Sequence, residues 1–339
     1  MKIAIIASPN IPVPPDQYGG IERIIYMLIQ ELNKKGHDIT LFAHPDSKVD
    51  CKLIPYQESK KYTFKDFIKI NLLTSKNKKF DLVHTFGRMN NIAFLIPKKT
   101  IKIVSYQLPP TVSQVKKAVL LANRNSLYFS ACSNYIADQI SKFCDITTVY
   151  NGVNSDEYQF NPKINDQAPL VFLGRIQCDK GTHLAIEVAK KTKNRLIIAG
   201  NIPNEKLHID YFNSQVKPHL NNQDITYIGP VNNKEKNILL GNAKAFLMPV
   251  TWDEPFGIVM TEALACGTPV IGFKRGAIPE VVVDGYNGYV CENVEQMIIA
   301  VNHIKKINRE NCRKVLEEKF SAQVIADQYE RLYKRALKI

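Results

Sequence analysis

The sequence predicts an α/β protein built from two doubly wound parallel-sheet domains in series. Short apolar runs alternate with segments of helical period along the chain, a pattern typical of parallel strands covered by helices on both faces. The length of 339 residues exceeds what one hydrophobic core usually organises. A polar, turn-rich segment at 151–162 separates two such series. We therefore predict domains at 1–155 and 156–320, followed by a last helix at about 321–339.

The first domain begins with an apolar strand and a proline-rich loop that leads through Gly19 and Gly20 into a helix. Paired glycines permit close backbone approach or loop motion, and a plain turn is the alternative. Gly36 is placed to end that helix, and Ser133 is a good N-cap for a helix at 134–143. Apolar runs predict strands at 2–7, 38–43, 81–84, 102–106, 127–131 and 147–150.

The second domain repeats the strand–helix alternation, with Thr182 expected to cap its first helix. Apolar runs predict strands at 170–173, 195–199, 225–228, 245–250, 269–273 and 288–291. Helical spacing predicts helices at 204–219, 233–241, 257–266, 276–283, 294–306, 308–319 and 321–337.

Composition excludes several classes of protein. Hydrophobic residues make up 45% and charged residues 23%, which is ordinary for a globular protein. No apolar run approaches the ~20 residues of a membrane span, and the N-terminal run is too short for a signal peptide. The seven cysteines are scattered without a C-x-x-C pair, which predicts free thiols in a reducing cytoplasm and neither a zinc site nor a disulfide framework.

Nearly all of the net charge of +13 lies in one stretch. Residues 51–125 carry 15 basic and 3 acidic groups, a net charge of +12. This stretch should produce a positive electrostatic field. Such a field fits a solvated face, an acidic substrate, an anionic membrane surface or nucleic acid. No aromatic interleaving or known nucleic-acid module accompanies the lysines, so we do not expect nucleic-acid binding.

Two loops carry the residues best suited to bind an anion. The first follows the strand at 170–173, where Gly174 allows close approach and Arg175 and Lys180 supply positive charge. The second precedes the helix at 257–266 and supplies backbone amides at its N-terminus, those of Phe256, Gly257 and Ile258. Loop cations that are merely solvated are the alternative interpretation of the first loop.

Two carboxylates flank the second loop, Glu254 before the helix and Glu262 within it. At this spacing they could accept hydrogen bonds from two sugar rings on either side of bound phosphates. The alternative treats Glu254 as an acid favoured by the helix dipole and Glu262 as a solvated helix residue. The sequence has no D-x-D, no G-x-G-x-x-G and no P-loop motif, so no metal site is predicted and ordinary dinucleotide or P-loop enzymes are disfavoured.

At these residues the sequence resembles the retaining sugar-nucleotide glycosyltransferases of group 1, family 4, which have the GT-B fold of two Rossmann-like domains facing across a cleft. The resemblance covers the whole chain, and 18–23 is similar to the subgroup with a glycine-rich N-terminal loop. It is carried by Tyr150-Asn151-Gly152-Val153, G-R-x-x-x-x-K-G at 174–181, the pair Glu254 and Glu262, Ala265–Val270 and Gly276–Glu280.

The resemblance implies a role for each matching residue. Arg175 and Lys180 would bind the donor diphosphate, Glu262 the nucleotide ribose and Glu254 the donor sugar near the reacting centre. Gly19 and Gly20 would face the donor phosphates. The amides of Phe256, Gly257 and Ile258 would form the cradle for sugar and phosphate, and Gly200 and Val231 the nucleoside pocket. Gly174, in the G-R-x-x-x-x-K-G run, would let the backbone approach the donor. The last helix would cross back onto the first domain.

The implied reaction moves a hexose from a nucleoside-diphosphate sugar, UDP-linked in preference to GDP-linked, to an acceptor hydroxyl. It keeps the anomeric configuration and needs neither metal nor cofactor. The acceptor would be a glycan, lipid-linked or phosphate-bearing, in surface glycan or glycolipid synthesis. An anionic acceptor or an anionic membrane leaflet would complement the positive charge of residues 51–125. We therefore expect a cytoplasmic protein, peripheral on the inner face of the membrane.

One departure from the family pattern concerns histidines. His84 is present at a strand end, where it is either catalytic or simply buried, but Phe86 and Gln107 occupy positions where family members often carry histidine. This departure leaves altered donor specificity and loss of activity open as alternatives. The alternatives to the transferase are a sugar-nucleotide epimerase on the same fold and, because of Phe86 and Gln107, a catalytically silent nucleotide-binding relative.

Overall fold

The computed structural model describes residues 1–15, 19–58, 62–75 and 79–339. The chain divides into two compact units. Unit 1 comprises Met1–Gly152 and Ala322–Ile339, and unit 2 comprises Val153–Ser321. The division thus falls slightly before residue 155, and the last helix belongs to unit 1.

Unit 1 is a parallel sheet covered by helices. Its elements are β1 (Lys2–Ile6), α1 (Gly20–Lys34), β2 (Asp38–Ala43), β3 (Lys52–Pro55), α2 (Phe64–Ser75), β4 (Leu82–Thr85), a 3-10 helix (Met89–Leu95), β5 (Ile101–Tyr106), α3 (Val112–Leu121), β6 (Leu127–Ala131), α4 (Asn134–Asp138) and β7 (Ile146–Thr148). The helix that returns at the C-terminus is Ala322–Leu337 and is numbered α12. Among the described residues the strand order is β3-β2-β1-β4-β5-β6-β7.

The core of unit 1 follows from the alternation of side chains along buried strands. Ala4 and Ile6 of β1 share one buried cluster with Val83, Val104 and Phe129 of the neighbouring strands. On the C-terminal side, α12 contacts α1. There Lys35, directly after α1, pairs with Asp327 of α12 at 2.5 Å.

Unit 2, all of whose residues are described, has a second parallel sheet. Its elements are β8 (Leu170–Leu173), α5 (Thr182–Lys191), β9 (Leu196–Ala199), α6 (Lys206–Tyr211), β10 (Ile225–Tyr227), α7 (Asn233–Gly241), β11 (Ala245–Met248), α8 (Ile258–Ala265), β12 (Val270–Phe273), α9 (Ile278–Val281), β13 (Gly288–Cys291), α10 (Val294–His303) and α11 (Arg309–Val315). The strand order is β10-β9-β8-β11-β12-β13.

Several elements differ from the prediction. Four elements were not predicted from the sequence: β3, α2, α3 and the 3-10 helix at Met89–Leu95. Two predicted helices are interrupted: 204–219 becomes α6, a π turn and a 3-10 turn, and 308–319 becomes α11 and a π turn at Leu316–Phe320.

The helix caps differ from the prediction at one of two positions. Ser133 caps α4 by accepting a hydrogen bond from the Ile136 amide, although α4 ends at Asp138 rather than at 143. Thr182 is not a cap. Gly181 holds that position in a left-handed conformation, and Thr182 is the first, buried residue of α5. In the described ranges no helix is both long and apolar enough to cross a membrane.

Candidate functional site

The candidate site lies where the strand order of unit 2 reverses. In sequence β8 is the first strand of this sheet and β11 the fourth, yet they are neighbours at its centre. In open α/β sheets ligands bind at such a switch point, outside the carboxyl ends of the strands. The two loops singled out from sequence, 174–181 and 249–257, follow these two strands.

The two loops are in direct backbone contact. The Thr251 amide donates a hydrogen bond of 2.9 Å to the Asp179 carbonyl. A Cβ on Gly181 would lie 2.0 Å from the Pro249 carbonyl oxygen, and Gly181 has a φ of +75°. Glycine is therefore required at this position by both contact and conformation.

Lys180 and Glu254 join the loops through their side chains. The Lys180 ammonium donates to Glu254 Oε2 at 2.7 Å, and the Trp252 indole donates to the same oxygen at 3.0 Å. The ammonium also lies 4.4 Å from the Trp252 ring centroid. Both ends of the ion pair are mostly buried, so a cation and a carboxylate are held in fixed positions.

The loop between β12 and α9 contacts the backbone of Glu254. The Ala277 amide donates to the Glu254 carbonyl at 2.8 Å. A Cβ on Gly276 would lie 2.2 Å from that carbonyl oxygen. The segment Gly276–Glu280, singled out from sequence as a motif, thus fixes the backbone that carries Glu254.

The N-terminus of α8 lies beside this loop. Gly257 is its N-cap with a φ of +80° and provides no side-chain cap. A Cβ there would lie 2.7 Å from the Met248 methyl group. Phe256 is buried, with its ring 5.9 Å from that of Phe320. The helix dipole places partial positive charge at Ile258, the first residue of α8.

Glu262 lies on α8 and is buried rather than solvated. It forms an ion pair with Lys236 of α7, and the Tyr158 hydroxyl donates to its Oε1 at 3.0 Å. Neither partner was predicted from the sequence. For Lys236 a signal existed, since it lies three and four residues before Leu239 and Leu240 on the buried side of α7. A lysine on an apolar helix face needs a partner.

Glycines bring the ends of β8, β9 and β10 close together. A Cβ on Gly200 would lie 1.8 Å from the Gly174 carbonyl oxygen. The Gly200 amide donates to the Gly229 carbonyl at 2.8 Å, and the Tyr227 hydroxyl donates to the Gly200 carbonyl at 2.8 Å. The other predicted residues of this edge, Arg175 and Val231, are both partly buried.

The glycine pair of unit 1 lies at the start of α1. Gly19 is the N-cap of α1, and a Cβ there would lie 2.7 Å from the Pro15 side chain. Gly20 is the first residue of the helix. Glu22 on the first turn is buried, and this burial raises the pKa of its carboxyl group. Tyr18, which precedes the glycines, lies outside the described residues.

His84 is fully buried at the end of β4. Its Nδ1 is 2.7 Å from the Tyr333 hydroxyl of α12, and its Nε2 is 2.6 Å from Ser105 Oγ. Burial lowers the pKa of the imidazole to about 3. Both ring nitrogens bond within unit 1, which favours the buried strand-end interpretation, and a catalytic role of His84 stays a prediction.

The two departures from the histidine pattern have their own contacts. The Phe86 ring is buried and lies 4.2 Å from the His84 ring. The Gln107 side-chain oxygen accepts a hydrogen bond of 2.7 Å from the side-chain amide of Asn151. Phe86 therefore packs beside His84. Gln107 is hydrogen-bonded to Asn151, one residue before the first segment of unit 1 ends at Gly152.

Comparison with known proteins identifies the family. Residues 154–325 match the model for "Glycosyl transferases group 1", and residues 18–157 match that for "Glycosyltransferase Family 4". The chain belongs to the group 1 glycosyl transferases. These matches confirm the predicted family. The protein is therefore an enzyme, a glycosyltransferase.

Relatives extend along the whole chain. Spore coat protein SA of Bacillus subtilis (strain 168) is 24% identical over 392 aligned positions, covering 99% of this chain and 100% of that protein. A glycosyltransferase from Rickettsia africae ESF-5 superposes with a TM-score of 0.81 at 18% identity, over 99% of this chain and 98% of that one. Anabaena Alr3699/HepE in complex with UDP-glucose superposes with a TM-score of 0.77 at 16% identity, over 99% and 100%. The two parallel-sheet units and these neighbours confirm the predicted GT-B fold.

Proposed function

We propose that this group 1 glycosyl transferase moves a hexose from a nucleoside-diphosphate sugar to an acceptor hydroxyl, with retention of configuration and without metal or cofactor. The observation that carries the proposal is the arrangement around α8. Two buried carboxylates are each paired with a lysine at the switch point of unit 2, Glu254 ahead of this helix and Glu262 on it.

Each part of this arrangement suits one part of the donor. Glu262 would accept hydrogen bonds from the ribose hydroxyls, with Lys236 and Tyr158 fixing its position. Arg175, Lys180 and the start of α8 would face the diphosphate. Glu254 would hold a hydroxyl of the hexose. The nucleoside would lie along the glycine-lined edge formed by β8, β9 and β10.

The chemistry breaks the bond between the anomeric carbon and the diphosphate oxygen and forms one from that carbon to the acceptor oxygen. The acceptor proton passes to the leaving phosphate, so that no separate base is required. Negative charge grows on the leaving diphosphate during this step. Preorganised positive groups, Arg175, Lys180 and the helix dipole, would stabilise it there.

For the donor we favour UDP over GDP. The preference is supported by the Anabaena neighbour, which has a similar fold and was crystallised with UDP-glucose. For the acceptor we favour a glycan that is lipid-linked or phosphate-bearing, used in surface glycan or glycolipid synthesis at the cytoplasmic face of the membrane. The net charge of +12 over residues 51–125 supports an anionic partner.

The experiment is release of nucleoside diphosphate from a panel of UDP- and GDP-hexoses in the presence of EDTA, with and without acceptor extracts. We expect turnover with one donor, abolished in Lys180→Met. The matched control is Arg195→Met. Arg195 directly precedes β9, so it lies at the amino ends of the strands, away from the candidate site, and its side chain donates to the Gln167 carbonyl. Activity that requires added metal would contradict the proposal.

A silent nucleotide-binding protein is the second candidate, favoured by Phe86 and Gln107 at the two histidine positions. It would bind the diphosphate, yet neither hydrolyse nor transfer any sugar from the panel. Retention is tested separately by NMR of the product, in which an inverted anomeric centre would contradict the proposed course of the reaction.

A further inference from the structure

An apolar stripe is exposed on α2 in unit 1. Phe64, Ile68 and Leu72 follow each other at intervals of four residues, so they share one helix face. They are 73%, 37% and 59% exposed. Phe94 of the neighbouring 3-10 helix is 58% exposed, and Phe67 links it to the stripe with ring centroids 4.8 Å from Phe94 and 6.2 Å from Phe64. We call Phe64, Ile68, Leu72 and Phe94 the α2 stripe.

A second group of exposed apolar side chains lies on α3, which covers the same face of the sheet. Ile70 of α2, Ile92 of the 3-10 helix and Val115 of α3 all pack into one core cluster. These three elements therefore form a single outer layer. On its solvent side α3 exposes an apolar end formed by Val119, Leu120 and Leu121.

The layer is also strongly basic. Exposed or partly exposed lysines in the described residues of this layer and its loops are Lys65, Lys69, Lys79, Lys98, Lys99, Lys116 and Lys117. The acid within α2, Asp66, is buried and bonded to the amides of Gln57 and Thr63. It therefore adds little negative charge to the surface.

Not every lysine of residues 51–125 belongs to this surface. Lys102 is fully buried and donates to the carbonyls of Leu95, Ile96 and Lys98 at 2.6–3.1 Å. Its ammonium group hydrogen-bonds the carbonyls at the end of the 3-10 helix and so faces the interior of the unit. Burial lowers the pKa of Lys102 to about 8. Lys60, Lys61, Lys76 and Lys78 lie outside the described residues.

We propose that this layer docks on an anionic phospholipid bilayer. The α2 stripe would enter the interface between headgroups and acyl chains, as apolar faces of amphipathic helices do, while the lysines meet lipid phosphates. Charge selects this occupant, because an apolar patch in the same layer as these exposed lysines, with the one acid of α2 buried, is complementary to an anionic surface. The inference rests on the proposed function for the location of the acceptor, but vesicle binding needs neither donor nor acceptor.

The test is cosedimentation of the full chain with vesicles of phosphatidylcholine alone or with 30% phosphatidylglycerol. We expect binding only to the anionic vesicles, weakened by 0.5 M NaCl because salt screens the lysines. The triple variant Lys65→Gln/Lys116→Gln/Lys117→Gln should bind about a hundredfold more weakly, since each lysine near an anionic surface contributes about fivefold.

The decisive variant is Phe64→Gln/Ile68→Gln/Leu72→Gln, which we expect to bind at least tenfold more weakly. Its matched control, Leu207→Gln/Ile238→Gln/Ile299→Gln, alters three unit 2 side chains that are more than half exposed. Unchanged binding of the stripe variant would overturn the proposal, as would equal binding to neutral vesicles or an equal loss in the control. Self-association through the stripe, detected by sedimentation velocity without vesicles, would also overturn it.

Two measurements separate this result from folding defects and from failure of the donor proposal. Far-UV circular dichroism should show the same helix content in the stripe variant and the wild type. Stabilisation of unit 2 by UDP should be unchanged in the stripe variant. A protein that binds UDP but no vesicles would refute the docking surface alone, and the converse would refute the donor site alone.

Discussion

The ion pair between Glu262 and Lys236 gives the sharpest stability prediction. Its side chains are 4% and 9% exposed, so both charges have largely lost their hydration. Removing one partner of a buried pair costs about 3–5 kcal/mol, because the other charge is left uncompensated. We therefore expect Glu262→Gln and Lys236→Met each to lower the free energy of unfolding of unit 2 by about this amount.

The double variant separates the pair from its parts. Replacing both charges leaves no uncompensated ion, and such replacements are often close to neutral. We expect Glu262→Gln/Lys236→Met to lie within about 2 kcal/mol of the wild type, whereas adding the two single losses would give about 6–10 kcal/mol.

The assay is urea unfolding followed by tryptophan fluorescence. Trp252 is the only tryptophan of the chain and lies in unit 2, so its emission reports this unit even if the two units unfold separately. Additive losses, or single variants within about 1 kcal/mol of the wild type, would refute the assignment of a buried, coupled pair.

Three further predictions concern backbone contact and buried polar groups. Gly200→Ala should destabilise unit 2 well beyond Gly285→Ala, measured by the same fluorescence, because a Cβ meets a carbonyl oxygen only at the first position while both have positive φ. Lys102→Met should lower the stability of unit 1 by about 2–4 kcal/mol, seen as faster hydrogen exchange in the 3-10 helix; unchanged exchange would contradict its role. The depressed pKa of His84 means that unit 1 should lose stability as pH falls below about 6.5, where the unfolded imidazole takes up a proton first. His84→Gln should flatten that slope in the exchange of β4.

The loops of unit 2 could be predicted because their signals are local. Glycines and charged residues directly after apolar strands place Lys180 and Glu254 at the carboxyl edge of a parallel sheet without any knowledge of long-range contacts. The partners of Glu262 could not be found in this way. Lys236 and Tyr158 lie 26 and 104 residues away in sequence, and only the folded chain brings them to the carboxylate.

The missed helices of unit 1 have a different cause. In α2 the buried Ile70 lies on one face, while Phe64, Ile68 and Leu72 are exposed on another. Apolar residues on two faces blur the helical period by which sequence reasoning detects a helix. The property that concealed α2 is the one that makes its surface a candidate for docking. His84 shows the converse limit, because a strand-end histidine has the same sequence signal whether it is buried or catalytic.

The most direct test of the donor site is thermal unfolding of unit 2, followed by Trp252 emission, with UDP, GDP, ADP or NAD in the presence of EDTA. A ligand at about 100 times its dissociation constant adds about 2.7 kcal/mol, which corresponds to roughly 5–10 °C for a unit of this size. We predict such a shift with one diphosphate, retained in Arg195→Met and lost in Glu262→Gln, each compared with its own ligand-free Tm. The absence of a shift with every nucleotide, or an equal shift in Glu262→Gln, would contradict the assignment of the donor site to α8 and its two carboxylates.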